Sequence, residues 1–207
     1  MRTCYLVGAG DFGSGTLQPK EDDLVIACDG GFSSCMSRGI NIDYVIGDFD
    51  SLGYVPEAES CLRLPVEKDV TDMEAGVDVA LGLGYRYFEI FGGTGGRLSH
   101  TIANIQMMIG LSAKGIRCIL HGENSLIYVL SDDINGCRIT FPADKKGSIS
   151  LFAVAGPVLG LTISGMKYTV TACTLEPSFP LGVSNSFIGS DSFIEFSKGR
   201  LLVIEES

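Results

Sequence analysis

Six short apolar runs punctuate the chain up to about residue 121: CYLV, DLVIAC, DYVIG, CLRL, YFEIF and IRCIL. They are apolar along their length instead of alternating, so a strand built from one must be covered on both faces. Helix-like segments lie between them, and strands alternating with helices imply a parallel sheet with helices packed on each side. Two of these segments can be read residue by residue. In TDMEAGVDVALGLG, Met73, Val77, Ala80 and Leu81 form one apolar stripe, and Thr71 with Glu74 has capping-box spacing. In SHTIANIQMMIGLSAKG, Ile102, Ile105 and Ile109 share a face, and Gly115 is placed to end the helix.

Beyond about residue 122 the rhythm changes. SLIYVL, CRITF, SISLFAVA, LGLTIS, SFIEF and LLVIEE follow one another with no helix pattern between them, and PADKKGS and SKGR supply turn signals at hairpin distances. The expected fold is therefore an α/β domain over residues 1–121, mostly parallel sheet flanked by helices, followed by an all-β sandwich-like domain over 122–207. With 207 residues, 45% of them apolar, the chain can bury a core of that size.

Charge and cysteine usage narrow the function classes. A net charge of −10 repels nucleic acid and anionic membranes on average, so neither is an expected partner and any phosphate must be held locally. The opening MRTCYLVGAG lacks a signal-peptide core, and no run reaches the roughly 18 apolar residues of a membrane span, which makes the cytoplasm the expected location. The seven cysteines include no Cys-x-x-Cys pair and mostly sit in apolar runs, as reduced core thiols do. With only His100 and His121 besides, a soft-metal cage is not expected, and a metal here would be a hard cation on carboxylates.

Carboxylates recur where the strands of the first half end. Asp29 follows LVIAC, Asp48 and Asp50 follow YVIG, Asp69 and Asp72 follow CLRLPV, and the loop GGTGGR follows YFEIF. In a parallel sheet all of these lie at the carboxyl edge, where open α/β folds bind ligands. Carboxylates brought close together raise one another's pKa, and Mg²⁺ removes the conflict while linking protein carboxylates to substrate phosphates. A purely structural reading stays open: Asp48 can begin a turn, Asp50 can cap a short helix, and Asp72 is favoured by the helix dipole. GGTGGRLSH has more glycine than an ordinary strand-to-helix turn needs. Its backbone N–H groups and Arg97 suit phosphate, although it lacks the Gly-Lys-Ser/Thr ending of a Walker A loop. GAGDFG at 8–13 matches G-x-G-x-x-G with Asp29 at a dinucleotide-like spacing. The segment SGTLQPKEDD that follows holds Pro19 and one clear apolar residue, Leu17, and cannot make the crossover helix of that motif, so hydride chemistry is left as a minor alternative.

Taken in order, DGG at 29–31, GDFDS at 47–51, KDVTD at 68–72, GGTGGRLSH at 92–100, GLTISGMKY and GVSNSF resemble the thiamine pyrophosphokinase family over nearly the whole chain. That resemblance implies a homodimer with its sites near the subunit interface. It implies transfer of the terminal diphosphate of ATP to the hydroxyethyl oxygen of thiamine, with Mg²⁺, leaving AMP. Carried over by position, Asp48, Asp50 and Asp72 look like the metal and catalytic carboxylates, with Asp29 beside them and Asp69 a further metal candidate. Gly92, Gly93, Thr94, Gly95, Gly96 and Arg97 look like the nucleotide contact, joined by Ser99, His100 and Lys68. Ser184 and Asn185 look like thiamine contacts, and Phe187 is placed to cover the thiamine ring unless it is core. The chain departs from the family at Ser99 and Ser186, where family members commonly carry acids. Two other readings remain open at this point: a haloacid dehalogenase-like phosphatase, because DFDS resembles its Asp-x-Asp pair, and a nucleotide or thiamine sensor without turnover.

Overall fold

The computed structural model describes residues 2–13, 15–49, 54, 56, 60–65, 69–132 and 138–207. Two compact units divide the chain. One comprises Met1–Met107 and Cys118–Glu123, the other Met108–Arg117 and Asn124–Ser207.

The first unit is the expected α/β sheet. Strands β1 (Cys4–Val7), β2 (Leu24–Cys28), β3 (Tyr44–Gly47), β4 (Cys61–Arg63), β5 (Tyr87–Phe91) and β6 (Arg117–His121) stand in the order β4-β3-β2-β1-β5-β6. The pairs β1/β2, β1/β5, β2/β3 and β3/β4 are parallel, with Leu6 level with Ile26 on one side and Ile90 on the other. Burial of the continuous apolar runs drives this arrangement: Leu6, Ile26, Ile46, Phe88, Ile90 and Phe91 are fully enclosed. On one face of the sheet, Tyr5, Val25 and Phe91 pack with Cys35 of helix α1 (Gly31–Arg38) and with Leu17. Leu17 sits in the β1–β2 connection, which is non-helical where described, as Pro19 and the sparse apolar content of that segment require.

Helix α2 (Asp72–Gly82) buries Met73, Val77 and Ala80 as its stripe predicts, and it starts on the expected capping box. The Glu74 N–H donates to Thr71 Oγ1 at 3.1 Å, while the Thr71 N–H donates to Glu74 Oε2 at 3.4 Å. Helix α3 (Leu98–Ser112) does not bury the predicted face. Ile102 is 49% exposed, and the buried positions are Asn104, Met108, Leu111 and Ser112. Hydropathy alone selects the wrong stripe because the inward row begins with an amide whose polarity is satisfied, Asn104 Nδ2 donating to the Gly93 carbonyl at 2.9 Å. Gly115, at φ +72°, follows the end of this helix as expected.

The second unit is antiparallel throughout. Strands β7 (Ser125–Ser131), β8 (Arg138–Phe141), β9 (Ser148–Ser164), β12 (Ser192–Glu195) and β13 (Lys198–Glu206) run β7-β13-β9-β12-β8, while β10 (Val170–Leu175) and β11 (Gly182–Ser186) also pair with β9. The runs SISLFAVA and LGLTIS are a single 17-residue strand, β9, and not two. Its first part pairs with β13 and β11, and its last part with β10 and β12. Positive φ at Ala155, Gly156 and Gly160 bends the strand so that it serves both sets of partners.

Among the described cysteines, all are free: Cys4, Cys28, Cys35 and Cys118 are buried, and Cys61 and Cys173 partly so. Burial pushes the Cys4 thiol up to about 12 and the Cys35 thiol up to about 11, so both stay protonated and unreactive at neutral pH. No helix among the described residues is long and apolar enough to cross a membrane.

Candidate active site

The sheet order reverses beside β1. Strands β2 to β4 are laid down on one side of it and β5 and β6 on the other, and open α/β sheets bind ligands at the carboxyl edge beside such a reversal. A cavity of about 510 Å³ occupies that place. Its wall is formed by Gly8, Ala9 and Gly10 after β1, Cys28 and Asp29 after β2, Asp48 after β3, and Val70 to Met73 at the start of α2. Gly92, Gly93, Thr94, Gly96 and Arg97 after β5, with His100, Thr101 and Asn104 on α3, complete it.

Three carboxylates read from the sequence, Asp29, Asp48 and Asp72, therefore face one cavity, although they come from three different loops. Two of the loops hold their backbones in the left-handed region, which costs a non-glycine residue about 1 kcal/mol and is characteristic of functional sites. Asp29 has φ +47° and Phe49 has φ +62°. Phe49 is only 3% exposed, so its ring anchors the segment after β3 in the core and leaves Asp48 on the cavity wall. Asp72 occupies the first turn of α2, where the capping box fixes the helix start and the positive end of the dipole favours a carboxylate.

Cys28 reports on the charge in this corner. Its thiol is pushed well above the usual range, first by burial, then by the charge of Asp72, with Cys4, Cys35 and Asp29 adding to the effect. Asp29 Oδ1 and Asp72 Oδ1 are sealed from solvent. The available donors are thus carboxylate oxygens beside a protonated thiol, a set that suits a hard cation. Among the described residues, no three His, Cys, Asp or Glu side chains enclose an ion by themselves. Mg²⁺ needs only one or two protein carboxylates when phosphate and water complete its shell, so the donors present fit it.

The glycine-rich loop is clamped from two sides. Asn104 holds the Gly93 carbonyl from α3, while the Gly8, Gly10 and Asp11 N–H groups donate to the carbonyls of Phe91, Gly92 and Thr94 at 2.8, 2.9 and 2.8 Å. Gly92 has φ +66°, and a Cβ there would lie 2.2 Å from the Gly8 carbonyl oxygen, so this approach of two backbones requires glycine. The segment after β1 and the buried amide of Asn104 were not identified as site residues from the sequence. The signal for the first is GAGDFG, whose glycines serve close approach to a second loop as well as they serve a dinucleotide. For Asn104, the polar residue on an otherwise apolar helix was the available clue.

Other expected site residues fall elsewhere. Asp69, Gly95 and Ser99 are exposed and outside the cavity wall, and Asp50 and Lys68 lie outside the described residues. In the second unit, Ser184 is exposed at φ +56° and its N–H donates to Ser150 Oγ at 3.1 Å. Asn185 is 5% exposed: its Oδ1 accepts from the Tyr168 and Ser186 N–H groups at 2.9 Å each, and its Nδ2 donates to the Tyr168 carbonyl at 2.7 Å. Asn185 also borders a mainly apolar cavity of about 180 Å³. Phe187, half-buried, packs on Phe141 with ring centroids 5.1 Å apart.

Known proteins share both units. The family model described as thiamin pyrophosphokinase, catalytic domain, matches residues 18–120, and the one described as thiamin pyrophosphokinase, vitamin B1 binding domain, matches 136–201. The thiamine pyrophosphokinase of Bacillus subtilis (strain 168) is 29% identical over 200 residues, covering 90% of this chain and 89% of its own length. The crystal structure of thiamine pyrophosphokinase from Bacillus subtilis superposes with a TM-score of 0.82 at 26% identity, covering 99% of each chain. That of thiamin pyrophosphokinase from Geobacillus thermodenitrificans gives 0.79 at 26% identity, covering 99% of this chain and 97% of the other. At 16% identity, thiamin pyrophosphokinase from Candida albicans shares the fold with a TM-score of 0.75, covering 100% and 89%.

Proposed function

Because the chain belongs to the thiamin pyrophosphokinase family, we propose that the cavity at the carboxyl edge of the parallel sheet is where it carries out that family's reaction. The chain is a thiamine diphosphokinase, moving the β,γ-diphosphate of ATP to the hydroxyethyl oxygen of thiamine to give thiamine diphosphate and AMP. The observation that supports this location is the convergence of Asp29, Asp48 and Asp72 with the Gly92–Arg97 loop around one cavity.

The chemistry assigns the roles. The hydroxyl oxygen of thiamine attacks the β-phosphorus, the bond from that phosphorus to the bridging oxygen breaks, and AMP departs with the electron pair. A primary alcohol is a poor nucleophile, so Asp72 takes its proton during attack, and Asp29 keeps the local field negative enough for that transfer. Arg97 offers a fork of donors to the transferred phosphates, and the Gly92–Gly96 backbone with the α3 N-terminus cradles their oxygens. Asp48, Asp50 and Asp72 would hold Mg²⁺, which neutralises charge on the phosphate oxygens. Asp69 and Ser99, off the cavity wall, receive no contact in this reading, and Lys68 and His100 remain phosphate-side candidates. On the second unit, Ser184 is the side chain free to meet thiamine, since the amide of Asn185 is engaged by Tyr168 and Ser186.

The same reading gives residues 1–121 the nucleotide and 122–207 the vitamin, and makes the working form a cytoplasmic homodimer with its sites near the subunit interface. Buried, protonated thiols are consistent with a reducing compartment. Neither the phosphatase nor the sensor alternative is favoured. Product identification tests the reaction: with thiamine, ATP and Mg²⁺, AMP and thiamine diphosphate should accumulate in equal amounts. Orthophosphate without AMP, or ADP with thiamine monophosphate, would contradict the reading.

A further inference from the structure

We propose that the turn Gly8–Asp11, after β1, is the second wall of the nucleotide cavity, and that Ala9 is the residue whose size sets the room left for the polyphosphate. This rests on the reading of that cavity as the ATP site.

The turn cannot yield. Gly8, Gly10 and Asp11 are tied by their N–H groups to the carbonyls of Phe91, Gly92 and Thr94, so the first loop is laced to the phosphate loop residue by residue. The two backbones are also in contact. A Cβ on Gly10 would lie 2.0 Å from the Thr94 carbonyl oxygen, and one on Gly95 would run into the Asp11 carboxylate. Between the two pinned glycines, Ala9 is exposed, keeps its φ out of the left-handed region and lines the cavity, whereas Asp11, also exposed, lies off the cavity wall. A larger side chain at position 9 therefore meets no core and strains no backbone, while the fixed turn prevents it from being carried away from the cavity. Because this wall abuts the Gly92–Thr94 loop, the space it limits is on the polyphosphate side of the nucleotide. This also gives GAGDFG a role: its first two glycines allow close approach to a second loop instead of to a dinucleotide.

Steady-state kinetics on Ala9→Leu and Ala9→Trp, with ATP and thiamine varied separately, test the assignment. The KM for ATP should rise with side-chain size, by about tenfold or more for Trp, while the KM for thiamine stays within about twofold and the thermal midpoint is unchanged. If Ala9→Trp does not fold, Ala9→Leu carries the test with the same sign. An ATP KM within about twofold of the parent, or equal rises in both KM values, would overturn the proposal. Asp48→Asn in the same assay separates the two levels of inference. Loss of turnover there with an unchanged ATP KM in the Ala9 variants removes only the second wall, whereas turnover retained in Asp48→Asn removes the site on which the wall depends.

Discussion

Asp72→Asn should lower kcat about a thousandfold while leaving the protein folded. The substitution keeps the shape of the side chain but removes the group that accepts the thiamine proton and shares the cation, a combination worth about 10²–10⁴-fold in rate. Its structural cost is small. The N-cap is Thr71, whose bonds with Glu74 do not involve residue 72, so the capping box survives and the helix start loses a charge–dipole attraction of about 0.3–1 kcal/mol. The check is turnover per folded molecule alongside the thermal midpoint. If activity falls only in proportion to the folded fraction, Asp72 is a helix-start residue and nothing more.

Gly92→Ala should be strongly damaging for a single-methyl change, destabilising the protein by about 3–4 kcal/mol. Two costs combine: an alanine at φ +66° pays about 1–2 kcal/mol in backbone strain, and its Cβ would lie 2.2 Å from the Gly8 carbonyl oxygen and 2.8 Å from the Gly8 carbonyl carbon. Relief requires the ends of β1 and β5 to part, which breaks the bonds from Gly8 to Phe91 and from Gly10 to Gly92. Gly96→Ala, on the same loop, is the contrast: a Cβ there meets nothing within 4 Å, and its stability should change by less than about 1 kcal/mol. Urea midpoints at constant slope measure both. Equal effects at the two positions would mean that the loop is not clamped against the β1 turn.

The first unit was legible in the sequence because its central strands β1, β2 and β3 are buried on both faces, which leaves continuous apolar runs of strand length with helix patterns between them. The capping box at Thr71 and Glu74 was legible because its two hydrogen bonds are local, set by a three-residue spacing. Asp29, Asp48, Asp72 and the Gly92–Arg97 loop could be placed at one rim because parallel strands put all their carboxyl ends on one edge. What escaped depends on contacts distant in sequence. The buried face of α3 is set by Asn104 reaching Gly93, and its polarity disguised the stripe. β9 read as two strands because Gly156 and Gly160 look like turn residues, and only pairing on both sides shows that the chain continues through them. β10 and β11, with TACTL and GVSNS, are too polar to announce themselves as strands until β9 pairs with them. The contribution of Gly8–Gly10 depends on the backbone of a loop more than 80 residues away.

The central claim is that the triphosphate of ATP lies in the cavity at the carboxyl edge of the sheet, bounded by the joined β1 and β5 loops and by Asp29, Asp48 and the start of α2, and held through Mg²⁺ by carboxylates from separate strands. A crystal structure of the full chain with Mg²⁺ and α,β-methylene ATP, whose carbon bridge replaces the bond that is cleaved, tests this directly. The account predicts the polyphosphate against Gly92–Arg97 with the metal joining it to Asp48 and Asp72. A nucleotide bound elsewhere, or bound here with neither carboxylate near the metal, would contradict it.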